Sequence, residues 1–188
     1  MLYDDIDLGE IPLPIASAVA RLRRAVARDI PDRATDAVFL LAEESVRMVT
    51  IELVASTLRT ATEVPAAIVR LGSKRRSFGD RVQLLTHAVR VAPRSESSVA
   101  LQSALGKRGG GLSSHLERLV RRRNQFAHGA RLDADAQSER LTEVLTLLDS
   151  LQPLADFHRG ACLVSVFAAP AVGAAEVAVL DWSGTSPS

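Results

Sequence analysis

The chain has 188 residues, enough for one domain with a real core and a small appendage. Apolar residues make up 47% and charged residues 24%, the balance of a soluble globular protein, and a net charge of +1 excludes a uniform electrostatic pull on nucleic acid. Its one cysteine, Cys162, excludes an intrachain disulfide and a thiolate zinc cluster; His87, His115, His128 and His158 form no pair at metal-ligand spacing, so neither a metal nor another cofactor is expected. The start, Met1 to Asp5, is acidic and lacks the basic and apolar regions of a signal peptide. No apolar run reaches the ~20 residues of a membrane span, and a cytoplasmic protein is expected. Basic charge is local and nearly all arginine, with Lys74 and Lys107 the only lysines. Arginine forks suit phosphates and carboxylates, although a GC-rich genome produces the same bias.

In chain order, residues 1–13 read as an extended, proline-bearing lead-in. Pro14 suits the first turn of a helix running through Val19, Leu22 and Val26, with Arg21, Arg23, Arg24 and Arg28 outside. Pro31 opens the longest element, about 32–62. Val38, Ala42, Val46, Val49 and Leu53 form one stripe, and Phe39, Leu40, Ile51, Val54 and Leu58 widen it nearly round the axis. This helix is expected at the centre, with at least one of Glu43, Glu44 and Glu52 facing the interior. Pro65 starts a short helix ending near Gly72, and a basic loop, 73–76, follows. The next helix, about 79–91, turns Val82, Leu85 and Val89 inward, with Pro93 just past its end.

After a serine-rich connection come a short helix near 99–105 and a basic, glycine-rich loop, 106–111. That loop is not a P-loop, because no strand precedes it and Lys107 is not followed by Ser or Thr. Ser113 or Ser114 is a fair N-cap for a helix ending at Gly129, with Glu117 completing a capping box. A helix over about 134–156 presents Leu141, Val144, Leu145, Leu148 and Leu151 inward, and Pro153 bends or ends it. The period then changes. Residues 161–167 and 176–180 are β-branched and apolar, separated by Pro170 and Gly173, and read as a hairpin in which Cys162 is an inert core thiol. The fold expected is all-α with a small C-terminal β-hairpin: a bundle over 1–157, the hairpin over 158–182 and a linker-like tail over 183–188, such as joins further domains.

The helix before Gly129 carries the chemistry. At 100° per residue, Leu112, Leu116, Leu119, Phe126 and Ala127 lie on one side, with Val120 at the edge and Arg123 within the apolar stripe. A guanidinium there must be paired. It either clamps Glu43, Glu44 or Glu52 of the central helix or lines a subunit cleft, and the two roles are compatible. Asn124 and His128 share the neighbouring face with Glu117 and Arg121. Arg118, Arg121 and Arg122 form either a solvated face or a set of phosphate ligands. An imidazole beside a permanent cation is suited to moving a proton next to a phosphate, although a His at a helix end also gains simply from the helix dipole.

The run Arg123-Asn124-Gln125-Phe126-Ala127-His128-Gly129 resembles the Arg-x4-His motif of HEPN-family domains, in which a polar residue, often Asn, follows the Arg. More weakly, Pro12-Leu13-Pro14, the long apolar helix and Ser77-Phe78-Gly79 look like a HEPN-like module of bacterial conflict proteins. The resemblance implies a helical bundle that pairs as a homodimer and, in active members, cleaves RNA without metal. Carried over, Arg123, Asn124 and His128 are the catalytic set: His128 serves as general base or acid for attack of a 2′-OH on phosphate, and Arg123 stabilises the developing charge. One set lacks a second proton-transfer group, which a two-fold axis supplies. Some toxins of the family carry a Tyr two residues after the His; here that position is Ala130, so regulation through such a Tyr is not expected. Two functions follow from the resemblance: a dimeric, metal-independent endoribonuclease of a bacterial defence or toxin system, or a non-catalytic dimerisation or sensing module of a larger protein.

Overall fold

The computed structural model describes residues 11–60, 77–106, 111–128 and 133–158, with Leu8, Ala66 and the pairs 165–166 and 177–178. Seven helices account for nearly all of these: α1 (Leu13–Ala27), α2 (Pro31–Thr60), α3 (Phe78–Val91), α4 (Glu96–Gly106), α5 (Leu112–His128), α6 (Ala134–Asp149) and α7 (Gln152–His158). The protein is thus mostly helical. The short helix expected over 65–72, the basic loop at 73–76, Lys107, Gly129 and Ala130 fall outside the described residues, Ala66 excepted. So do Cys162 and most of the expected hairpin; Ser165–Val166 and Val177–Ala178 pair antiparallel, with Ser165 opposite Ala178.

Helix α2 is the axis of the bundle. Its 30 residues pack against α1, α3, α6 and α7, and Val38, Ala42, Val46, Val49 and Leu53 are all buried, as their spacing requires. The apolar surface does not close round the axis, however. Ile51 and Leu58 are exposed, because the neighbours that enclose the N-terminal half leave one flank of the C-terminal half open. In α1 the buried line is Ile15, Ala18, Val19, Leu22 and Ala25, while Val26 turns outward, which corrects its expected place in the core by one position. Helix α1 ends in a Schellman arrangement. The Asp29 N–H donates to the Val26 carbonyl at 3.0 Å, the Ile30 N–H donates to the Ala25 carbonyl at 3.1 Å, and Asp29 takes a left-handed φ of 51°.

Helix starts are fixed by local chemistry that the apolar pattern does not report. Ser77 and Asp80 form a reciprocal capping box at the start of α3: the Asp80 N–H donates to Ser77 Oγ at 3.2 Å and the Ser77 N–H to Asp80 Oδ2 at 3.0 Å. Helix α4 begins at Glu96, a turn earlier than its hydrophobic pattern suggests, because Ser95 and Ser98 cap each other in the same way. Helix α5 also starts early. Leu112 is its first residue and is buried, and the Gly111 carbonyl accepts from the Ser114 and His115 N–H groups. The serines expected as N-caps therefore lie inside the helix. The Ser113 hydroxyl donates to the Leu105 carbonyl at 3.0 Å and that of Ser114 to Gly111 at 2.8 Å, so neither forms a capping box with Glu117.

The single helix expected over 134–156 is two. Asp133 caps α6, accepting from the Ala136 N–H at 2.8 Å, and α6 stops at Asp149. The break thus precedes Pro153, which sits in the first turn of α7, where its missing N–H costs no helical bond. Val144, Leu147, Leu148, Leu151 and Leu154 are buried on either side of the break, while Leu141 and Leu145 are half-buried at the core's margin. One continuous core runs from Ile11 to Ala155. Among the described residues, no helix is long and apolar enough to cross a membrane.

Candidate functional site

Helix α5 is held at both ends and along one side. Leu112, Leu116 and Leu119 are buried, at 0–3% exposure. Near the other end Phe126 meets Phe39 of α2 with ring centroids 5.8 Å apart, and the Arg140 guanidinium of α6 lies 5.5 Å from the Phe126 centroid. Ala127, expected on the apolar side, is exposed: Phe126 fills the contact with α2 and leaves its neighbour outside.

Arg123 falls at the rim of this packed side, its side chain 38% exposed. Its Nη2 lies 3.4 Å from Glu43 Oε2, while Arg81 Nη1 of α3 lies 3.2 Å from the other oxygen, Glu43 Oε1. Of the three carboxylates expected to face Arg123, Glu43 alone does so. Glu44 is taken by Arg47 one turn along α2, with Nε to Oε2 at 2.7 Å. Glu52 faces His158. Two permanent cations around one carboxylate leave a surplus positive charge, and the exposed part of the Arg123 fork is open to a further anion.

The neighbouring arginines divide. Arg122 donates from Nε (2.8 Å) and Nη2 (2.6 Å) to Glu143 Oε1 of α6, and from Nη1 to Gln125 Oε1 at 3.0 Å. Arg118 reaches the same Glu143 oxygen at 3.9 Å. These two therefore fasten α5 to α6, across a cleft of about 210 Å³ that Arg121 also lines. Arg121 and Asn124 are exposed and have no hydrogen-bond or ion-pair partner among the described residues. His128 is the last residue of α5, one helical turn beyond Asn124, and its side chain lies outside the described set. The structure thus puts Arg123, Asn124 and the His128 backbone at one end of one helix.

Sequence reasoning passed over His158. Its side chain is fully buried, with Nδ1 3.1 Å from Glu52 Oε1 and Nε2 3.4 Å from the Ser45 carbonyl. The signal was present in Leu151, Leu154, Ala155 and His158, whose spacing puts the imidazole on the inward stripe of α7. Among the described residues, no group of three or more His, Cys, Asp or Glu gathers closely enough to hold a metal ion. Set against protein-family models, curated proteins and solved structures, the chain matches none.

Proposed function

We propose that the chain is a HEPN-type, metal-independent endoribonuclease that acts as a homodimer in a bacterial defence or toxin system. The observation that carries this reading is the placement of Arg123. It is anchored to Glu43 yet still 38% exposed, one residue before Asn124, which has no polar partner among the described residues, and five before His128 on the same helix. Anchoring by a carboxylate fixes the guanidinium without using all its donors, which is what a group that stabilises phosphoryl charge needs. His128 takes the proton from the 2′-OH, its two-fold counterpart protonates the leaving 5′-oxygen, and Asn124 orients the pair. In this reading the bundle is the HEPN-like fold and extends through His158, the last residue of α7, one residue past the boundary expected from the sequence; the proposed C-terminal hairpin contains the pair Ser165–Val166 and Val177–Ala178.

The second reading is a non-catalytic HEPN-like dimerisation or sensing module. It is favoured by the engagement of Arg118 and Arg122 with Glu143, which takes two candidate phosphate ligands for internal use. Incubation of the purified chain with total RNA in EDTA, beside His128→Ala, separates the two. The nuclease reading predicts cleavage that leaves cyclic phosphate ends and is lost in the variant, from a protein that sediments as a dimer. A monomer, or cleavage indifferent to His128→Ala, contradicts it.

A further inference from the structure

A groove of about 610 Å³ runs between α3 and α5, within the range of ligand-binding clefts. Its apolar lining is Gly79, Val82 and Val120; a Cβ at Gly79 would lie 3.6 Å from Val120. The two helices run antiparallel, since Gly79 at the start of α3 meets the middle of α5, Arg81 and Arg123 share Glu43, and Arg90 at the end of α3 lines the groove with Ser113 from the start of α5. Arg121 therefore stands at the end of the groove nearest Asn124, and Arg90 stands near the far end of α3, about 16 Å along at ~1.5 Å per residue. Between them Gln83 and Glu117 line the walls.

Of the polar residues of this groove, Thr86 and Ser113 donate to the Val82 and Leu105 carbonyls, and the charged and amide side chains are uncommitted among the described residues. Arg118, Arg122 and Arg123 of α5 are all held by carboxylates, whereas Arg121, like Arg90, Gln83 and Glu117, is exposed with no polar partner among the described residues. Glu117, Arg121, Asn124 and His128 also follow one another along one face of α5, so the groove leads toward the end of the helix that carries the motif.

Resting on the RNA reading above, we infer that this groove holds a short single-stranded stretch of the substrate and that Glu117 selects guanine within it. Cations at both ends match phosphates, and an apolar lining accepts the face of a base. A carboxylate is acceptor-only with two oxygens. Guanine alone presents two adjacent donors, N1–H and N2–H, on its Watson–Crick edge, and the Gln83 amide across the groove can donate to its O6. Uracil, which flanks its one N–H with carbonyl oxygens, meets Glu117 with repulsion.

The test uses the full chain carrying His128→Ala, so that RNA is bound and not cut. Fluorescence anisotropy is read with short oligouridines, plain or carrying one central guanine, adenine or cytosine. The guanine oligomer should bind about tenfold more tightly than the plain one. Glu117→Gln should erase that preference, and Arg121→Glu should weaken all four alike, by about tenfold. Equal affinity for all four oligomers, no binding, or indifference to Arg121→Glu overturns the groove. Cleavage by the His128-bearing chain in EDTA, scored in parallel, keeps the two readings apart. Cutting without guanine preference sinks the groove and spares the nuclease, and guanine-selective binding without any cutting does the reverse.

Discussion

Two carboxylates on α2, Glu43 and Glu52, are almost equally shielded, their side chains 14% and 11% exposed, yet they are answered in opposite ways. Glu52 meets the fully buried imidazole of His158, which also faces the Ser45 carbonyl, so both ring nitrogens are taken up inside the bundle. Glu43 meets two guanidinium groups from two other helices, and one of them remains 38% exposed. The first arrangement ties α7 to the centre of the bundle through an imidazole that solvent does not reach. The second leaves excess positive charge at the rim, held in place and accessible. Under the proposed function, packing and chemistry are divided between two sites of the same helix.

The strongest way to sharpen this contrast is to add a third carboxylate with no answer at all. Val49 is completely buried between Glu43 and Glu52, and Val49→Asp should abolish folding, because an unpaired charge among apolar neighbours has no compensation; circular dichroism should show the loss of helix. Next in size is His158→Leu, which strands Glu52. It should lower stability in urea by about 3–5 kcal/mol. The double variant Glu52→Leu/His158→Leu should recover most of that loss, since it removes the carboxylate together with its partner. If His158→Leu were neutral by itself, the Glu52 contact would not be the structural tie described here.

The smallest effect on stability belongs to the open site. Arg123→Ala should cost about 1 kcal/mol or less in the same urea measurement, since the side chain is partly solvated and Arg81 still answers Glu43. A loss as large as that of His158→Leu would make Arg123 a clamp of the same kind and erase the distinction between the two carboxylates.

Much of this was legible in the sequence, and the reasons differ by residue. The buried line of α2 follows from helical spacing alone, because Val38, Ala42, Val46, Val49 and Leu53 leave one face no alternative. The Arg123 contact with a central carboxylate followed from finding a guanidinium within an apolar stripe, although the side chain stands at the rim of that stripe and is 38% exposed. Choosing Glu43 over Glu44 and Glu52 did not, because local pairing with Arg47 and a histidine more than a hundred residues away decide it. The early start of α5 was hidden since its serines look like caps, whereas the burial of Leu112 and the Ser113 bond to Leu105 depend on how α4 packs against it. Likewise Pro153 marks the region of the α6–α7 break, but the break falls ahead of it, where Leu151 must turn into the core. The division of arginines into paired and unpaired also lies beyond periodicity, because Glu143 approaches from another helix.

The central claim is that Arg123 is held for chemistry and not for stability. Arg123→Ala decides it when unfolding in urea and RNA cleavage in EDTA are measured on the same preparation. The account predicts that stability falls by about 1 kcal/mol or less while cleavage, with its cyclic phosphate ends, falls by two orders of magnitude or more, about the contribution of one charge-stabilising donor. Unchanged cleavage, or a loss of activity that merely follows unfolding of the bundle, would contradict it.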